Sequence, residues 1–182
     1  MAAMTPPTCP RKRLKHYDVA GHAHLLTFSC YRRLPLLNND RTRVWFIEAL
    51  AVARVQEDFD LWAWVIMPEH VHVLLRPRQP VGTRAIAHLE QHAPAFLSQL
   101  TVVNRQRTYR RFWQPGGGWD QNLWEAKAVH LALDYIHANP VRRGFVETPE
   151  QWRWSSAADW AGAADILIRV DRTLPTLHET IG

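Results

Sequence analysis

Cysteine is nearly missing from this chain. Its 182 residues include two, Cys9 in a proline-rich leader and Cys30 in a β-rich run. Thiols in such different settings exclude a disulfide framework and the four-ligand cluster of a structural zinc site. Long hydrophobic runs are missing too: none approaches the roughly 18 residues that a membrane helix requires. Residues 1–10 lack the apolar segment of a secretory signal, and no internal repeat is present. These absences give the expectation of a reduced, cytoplasmic protein with no membrane partner.

What is present is a globular composition. Hydrophobic residues make up 47% and charged residues 21%, which is not the balance of a disordered chain. The length suits one domain, and a chain this size buries about 70% of its unfolded surface, so the core needs no covalent staples. Lys and Arg number 22 against 17 Asp and Glu, a formal charge of +5, which permits a polyanionic partner. Nine tryptophans need core positions or stacking partners, and at least one of Trp62 and Trp64 is expected in the core.

Residues 1–16 combine Pro6, Pro7 and Pro10 with Arg11, Lys12, Arg13 and Lys15 and carry no apolar periodicity, which reads as a flexible basic arm. Residues 23–31 are the expected first strand. Asn38, Asn39 and Asp40 offer an N-cap, and Val44, Ile47, Ala51 and Val55 recur at helical spacing, so a helix over 41–58 with that face buried is expected. Residues 61–67 are continuously apolar, as in a strand covered on both faces, and 70–76 alternate in period two. With Pro68 and Glu69 between them, they predict an antiparallel hairpin in the middle of a sheet. A helix over 83–104, kinked at Pro94, and a fourth strand over 109–114 follow. The glycines at 116–118 end regular structure, and Asp120 or Asn122 caps a last helix reaching about Ala138. This order predicts an α+β, ferredoxin-like (RRM-like) antiparallel sheet with helices on one face, plus a C-terminal tyrosine-bearing helix and tail. The other face of the sheet is left for a ligand or another helix.

His70 and His72 are the sharpest chemical feature. On a strand, positions i and i+2 share a face, so both imidazoles project together while Val71 and Val73 face the other way. Two imidazoles so placed can share one metal ion, although the same pattern also serves a pair of hydrogen-bonded core histidines. His22 and His24 repeat it at the start of the first strand and are assigned no metal. Tyr135 lies on the last helix, between an apolar face of Val129, Ala132, Leu133 and Ile136 and a stripe through Trp124, Ala128 and Leu131, with Asn139 one turn on. A phenol, with an ordinary pKa of about 10, is a nucleophile once activated; the position also suits an amphipathic packing residue. Pro140 is expected to end or bend the helix. Arg142 and Arg143 then stand ready to hold phosphates or to complement the helix C-terminus. Arg105, Arg107, Arg110 and Arg111 form a second basic cluster near Trp113, Trp119 and Trp124, a mixture that suits unpaired bases.

Together these segments resemble a known family. Met67-Pro68-Glu69-His70-Val71-His72-Val73-Leu74-Leu75 is similar to the HUH signature of single-strand DNA transposases. Phe112-Trp113-Gln114, the glycine run, Tyr135-Ile136-His137-Ala138-Asn139-Pro140-Val141-Arg142-Arg143-Gly144 and Pro149-Glu150-Gln151-Trp152-Arg153-Trp154-Ser155-Ser156 extend the likeness over roughly residues 11–160. The set resembles the REP-associated tyrosine transposases, REP standing for repetitive extragenic palindrome.

The resemblance implies His70, His72 and Asn139 as ligands of Mg²⁺ or Mn²⁺, and Tyr135 as the nucleophile. Glu69 stands where the family often has asparagine and is not counted as a ligand. The implied activity is metal-dependent cleavage and rejoining of single-stranded DNA through a 5′-phosphotyrosine link. Its substrate would be a REP-type palindromic hairpin with a single-stranded 5′ flank. The expected DNA contacts are Arg11, Lys12, Arg13, Lys15, Arg76, Arg78, Arg105, Arg107, Arg110, Arg111, Trp119, Arg142 and Arg143. The expected division is a basic arm over 1–16, a nuclease domain over 17–160 and a tail over 161–182 that folds back on the core or covers the site. A monomer associated with the bacterial nucleoid is the expected working form. The competing readings are a hairpin-binding protein with little or no mobilising activity, an RNA-binding module of the same strand order, and a zinc hydrolase. The RNA reading lacks its aromatic signature on the central strands, and the zinc reading lacks a third strong ligand and a general base.

Overall fold

Asn39 opens the first helix, its side-chain oxygen accepting from the Thr42 amide at 3.0 Å. The helix, α1, runs Asp40–Gln56. Its buried face is Trp45, Phe46, Ala49, Leu50 and Ala53, whereas Val44 and Val55 of the expected stripe are exposed and Ile47 alone of that stripe is buried. Two stripes of helical spacing compete in this sequence. The one with two aromatics and a leucine removes more apolar area from water and wins.

The computed structural model describes residues 19, 21–78, 101–104, 107–110, 112–115 and 118–178, with the backbone alone for 101–104 and 107–110. Strands β1 (Ala23–Ser29), β2 (Phe59–Ile66) and β3 (His70–Pro77) are joined by β6 (Trp119–Leu123) in a four-stranded antiparallel sheet of order β2-β3-β1-β6. That order is the ferredoxin-like one expected. Strands β4 (Thr101–Asn104) and β5 (Arg107–Arg110) form a separate two-stranded sheet. The longer helix α2 (Ala126–Arg142) and the short α3 (Ala157–Trp160) complete the described elements.

Several expectations change. The predicted helix over 83–104 meets β4 at its end, and its remainder lies outside the described residues. The fourth strand of the main sheet is not 109–114. Residues 112–114 instead lie against the end of β1, where Tyr31 donates to the Phe112 carbonyl (2.7 Å) and Gln114 to that of Ser29 (2.8 Å). Trp119-Asp120-Gln121-Asn122-Leu123 takes the role; an edge strand needs little apolar content, and its polarity hid it. Because those residues are extended, α2 starts at Ala126 behind Glu125, not behind Asp120 or Asn122.

β2 is an edge strand of the sheet rather than a middle one, yet all eight of its residues are buried. Later segments seal its outer edge: Ile66 donates to the Trp154 carbonyl (2.8 Å), Ser156 to that of Trp64 (3.0 Å) and Asp171 to that of Leu61 (2.7 Å). The tail therefore folds back on the core, and Trp62 Nε1 donates to Thr173 Oγ1 at 2.9 Å.

The sheet has two buried faces. Leu26, Phe28, Trp64, Ile66, Val71, Val73 and Leu75 meet α1, while Ala23, Trp62, Val65, Met67 and Leu74 meet Val129, Ala132 and Ile136 of α2. A register shift between Leu61 and Ala63 lets both Trp62 and Trp64 be fully buried, on opposite faces. The second face is thus covered by the expected extra helix. Pro140 does not end α2. It sits in the last turn, and the chain closes in a left-handed cap at Gly144 (φ 70°), with Gly144 donating to Val141 (2.9 Å) and Phe145 to Pro140 (3.0 Å).

Gly118 shows why the glycine run precedes β6. A Cβ there would lie 2.5 Å from the Thr27 carbonyl oxygen and 3.1 Å from the Phe28 ring. Gly118→Ala is expected to lower stability by about 1–3 kcal/mol, read as a drop in the denaturation midpoint. An unchanged midpoint would show that β6 can move off β1 at no cost.

Candidate active site

His70 and His72 leave β3 on the face toward α2, with ring centroids 4.8 Å apart and planes at 76°. Each lies opposite a hydroxyl of β1: Ser29 pairs with His70 and Thr27 with His72. The Thr27 hydroxyl is 2.7 Å from His72 Nδ1. With that nitrogen carrying the proton and donating to Thr27 Oγ1, Nε2 presents its lone pair. His72 Nε2 is buried and has no hydrogen-bond partner among the described residues. A buried nitrogen of this kind is costly unless something else accepts its lone pair.

His70 is held the same way. Its Nδ1 donates to Glu69 Oε1 at 3.2 Å, and that oxygen also accepts from Arg143 Nη2 at 2.8 Å. Glu69 therefore orients a ring and ties it to the end of α2. Carboxylates and hydroxyls behind imidazoles are the usual outer support of a metal ligand. Among the described residues no three His, Cys, Asp or Glu side chains gather to hold an ion. A site here rests on the two imidazoles and an amide.

α2 supplies that amide and a phenol. Tyr135 lies 5.2 Å from His72, ring to ring, and is 39% exposed, at the margin of the apolar face expected for it. Asn139 is buried one turn on, and the Arg142 guanidinium sits 5.4 Å from the Tyr135 ring centroid. These groups share one pocket of about 390 Å³ with Trp119, which is 57% exposed. Ser29 and Arg33 from the end of β1 close it.

The electrostatics keep the imidazoles neutral. Burial pushes His72 down to about 3, with the neighbouring His70 adding to it. Burial also lowers His70, against the opposing pull of Glu69. For Glu69, burial acts upward but is outweighed by the bond from Arg143 and the charges of His70 and Arg143, so its carboxyl stays below the usual range. Neutral imidazoles and an ionised carboxylate are the forms a metal site requires.

Thus the structure brings His70, His72, Tyr135, Asn139, Arg142, Arg143 and Trp119 together. Two of the expected DNA contacts lie away from this pocket. Arg76 lies at the far end of β3, about 20 Å along the strand from His70, Arg78 lies just past that end, and both bond Asp60 (3.0 and 2.9 Å). Asp60, buried nearby, needs cationic partners, and this sets their place. Trp113 packs against Phe28, Trp45 and Phe46 instead of offering a stacking face, whereas Trp124 is half exposed beside His22. Arg11, Lys12, Arg13, Lys15, Arg105 and Arg111 lie outside the described residues, as do the side chains of Arg107 and Arg110. Thr27, Ser29 and Arg33 were not legible as site residues. For the first two a signal existed, since polar residues alternate with Leu26 and Phe28 along β1.

Fold and site together define a class: a ferredoxin-like sheet whose His-x-His strand faces a tyrosine on an overlying helix. No family model matches the chain. A Haemophilus influenzae protein bearing the name REP-associated tyrosine transposase is 31% identical over 131 residues, covering 62% of this chain and 73% of the relative. The REP-associated tyrosine transposase of Escherichia coli is 28% identical over 128 residues, covering 62% and 70%. A solved structure of a REP-associated tyrosine transposase bound to a REP hairpin superposes with a TM-score of 0.69 at 19% identity, covering 91% of this chain and 98% of the other. The chain belongs to the REP-associated tyrosine transposase family. Among the described residues no helix is long and apolar enough to cross a membrane.

A histidine whose folded pKa lies below its unfolded value of about 6.5 is protonated more readily in the unfolded chain. His72, His70 and His137, the last pushed down to about 4 by burial, all behave so. Stability of the metal-free protein should therefore fall as pH drops from about 6.5 toward 4, by up to about 1.4 kcal/mol per unit for each of His72 and His137, with His70 adding in the same direction. Thermal melts across that range check it, and His72→Asn should make the decline shallower. A flat profile would refute the burial argument.

Proposed function

We propose that the chain is a metal-dependent single-strand DNA endonuclease and strand-transfer enzyme that acts on REP-type hairpins through a 5′-phosphotyrosine link. The observation that carries this reading is His72: Nδ1 held by Thr27, Nε2 buried with no partner among the described residues, and the Tyr135 ring 5.2 Å away. His70 and His72 through their Nε2 atoms, with the Asn139 amide oxygen, would hold the ion. Two imidazoles are softer donors than Mg²⁺ prefers, so Mn²⁺, or Mg²⁺ with waters completing its shell, fits this set. A bound divalent ion would polarise the scissile phosphate and offset charge in the transition state.

The chain's own groups do the rest. Tyr135 Oη attacks the phosphorus in line, giving up its proton as the new P–O bond forms. The P–O3′ bond breaks, and the departing oxygen takes a proton to become a free 3′-hydroxyl. The phosphodiester energy is retained in the tyrosine link, so the 3′-hydroxyl of another strand can reverse the step and rejoin DNA. Arg142 and Arg143, at the helix end beside the pocket, neutralise strand phosphates, and Trp119 offers an exposed indole for an unpaired base. One chain carries both histidines and the tyrosine beside them, which supports action as a monomer. The hairpin reading draws on the solved relative, which is bound to one.

The test is a labelled single-stranded hairpin carrying its 5′ flank, taken from palindromic repeats near the source gene and incubated with Mn²⁺ or Mg²⁺. A covalent protein–DNA adduct is expected on a denaturing gel, abolished by Tyr135→Phe and by omission of metal. Tight binding with no adduct under either metal would favour a hairpin-binding protein with a silent site. Thr27→Val should weaken Mn²⁺ binding about 10–100-fold by releasing His72 Nδ1, measured by calorimetry.

A further inference from the structure

Arg32 and Arg33, just after β1, both adopt φ 54°, the left-handed region that side chains other than glycine's rarely enter. The turn is fixed from several directions. Cys30 donates to the Glu69 carbonyl (2.8 Å), Arg33 to that of Cys30 (2.9 Å), and the Arg32 amide to Gln114 Oε1 (2.9 Å). Two consecutive strained arginines persist only where the surroundings over-determine them, and such strain gathers at working sites. The outcome of this turn is that Arg33 lines the pocket of His70, His72 and Tyr135.

The other two arginines of that pocket each have one partner within the protein and keep further N–H donors. Arg143 bonds Glu69, and Arg142 lies over the Tyr135 ring. The Arg33 guanidinium has no hydrogen bond or ion pair among the described residues. A guanidinium with five donors and no partner among the described residues, brought to a pocket wall by a strained turn, is built for an oxyanion.

We infer that Arg33 binds a backbone phosphate of the single strand entering the pocket, and that the left-handed turn at Arg32 and Arg33 serves to hold it there. The inference rests on the single-strand DNA reading above. Arg33 approaches from the end of β1 and Arg142 and Arg143 from the end of α2, so the strand is gripped from two elements.

Binding without cleavage tests it. In the Tyr135→Phe background, fluorescence anisotropy follows a genomic palindromic hairpin with and without its single-stranded 5′ flank, over a series of salt concentrations. Arg33→Gly should weaken the flanked hairpin about tenfold and reduce its salt slope by about 0.7, leaving the flankless hairpin unchanged. Glycine adopts φ 54° freely, so the melting temperature of Arg33→Gly should equal or exceed the parent's. Arg33→Lys should keep the salt slope. Equal loss on both hairpins, no loss on either, or a lowered melting temperature accompanying the loss would overturn the assignment. Failure to bind the flanked hairpin at all would overturn it as well. The cleavage reading is judged separately, by the adduct formed with Tyr135 intact.

Discussion

Val71, Val73 and Leu75 decide where the histidines point. All three are fully buried in the core against α1, and burying side chains of this size stabilises by about 1.5–3 kcal/mol each. A one-residue slip of β3 would turn every one of them to the other face. With the valines locked, His70 and His72 have no choice but the opposite face, under α2. The chemistry of the site is thus a by-product of a hydrophobic register.

The same register sets the support of the rings. β1 pairs with β3 so that Thr27 and Ser29 fall opposite His72 and His70, and the close approach of Gly118 to Thr27 draws β6 in beside them. From the other side, Glu69 links His70 to Arg143, which fixes the end of α2 relative to β3. Buried polar groups in such a network are worth most when all are satisfied. The buried nitrogen of His72, with no partner among the described residues, is the exception, and His72 lines the pocket that holds Tyr135.

Stability and site are linked through the edges of the sheet as well. β2 would be an exposed edge, apolar but for Asp60, a liability in any open sheet. Residues 154–156 and Asp171 cover it with backbone bonds, and Arg54 anchors Asp171 at 2.6 Å. The hydroxyl of Ser156 also bonds His137 of α2 at 2.9 Å. The segment that seals the edge therefore also holds the tyrosine helix in place. Arg76 and Arg78, by contrast, are drawn to Asp60 at the remote end of β3 and take no part in the pocket.

Much of this was legible in the linear chain because it depends on periodicity and local chemistry. Alternation in residues 70–76 placed both imidazoles on one face, and helical spacing put Tyr135 at the margin of the Val129–Ala132–Ile136 face. The capping amide of Asn39 marked the start of α1. What escaped was decided by competition between distant segments. Which stripe of α1 is buried depended on the volume available against the sheet. A polar β6 became a strand only because β1 had a free edge to pair with, and the helix ran on through Pro140 to close at Gly144 in a left-handed cap. The pairing of Thr27 with His72, the tie from Glu69 to Arg143 and the arrival of Arg33 in the pocket join residues far apart in sequence. The sequence alone determined which groups could do the chemistry and which way a strand or helix would turn them. Only the tertiary structure decided which of them meet, because that is settled by register and edge pairing across the sheet.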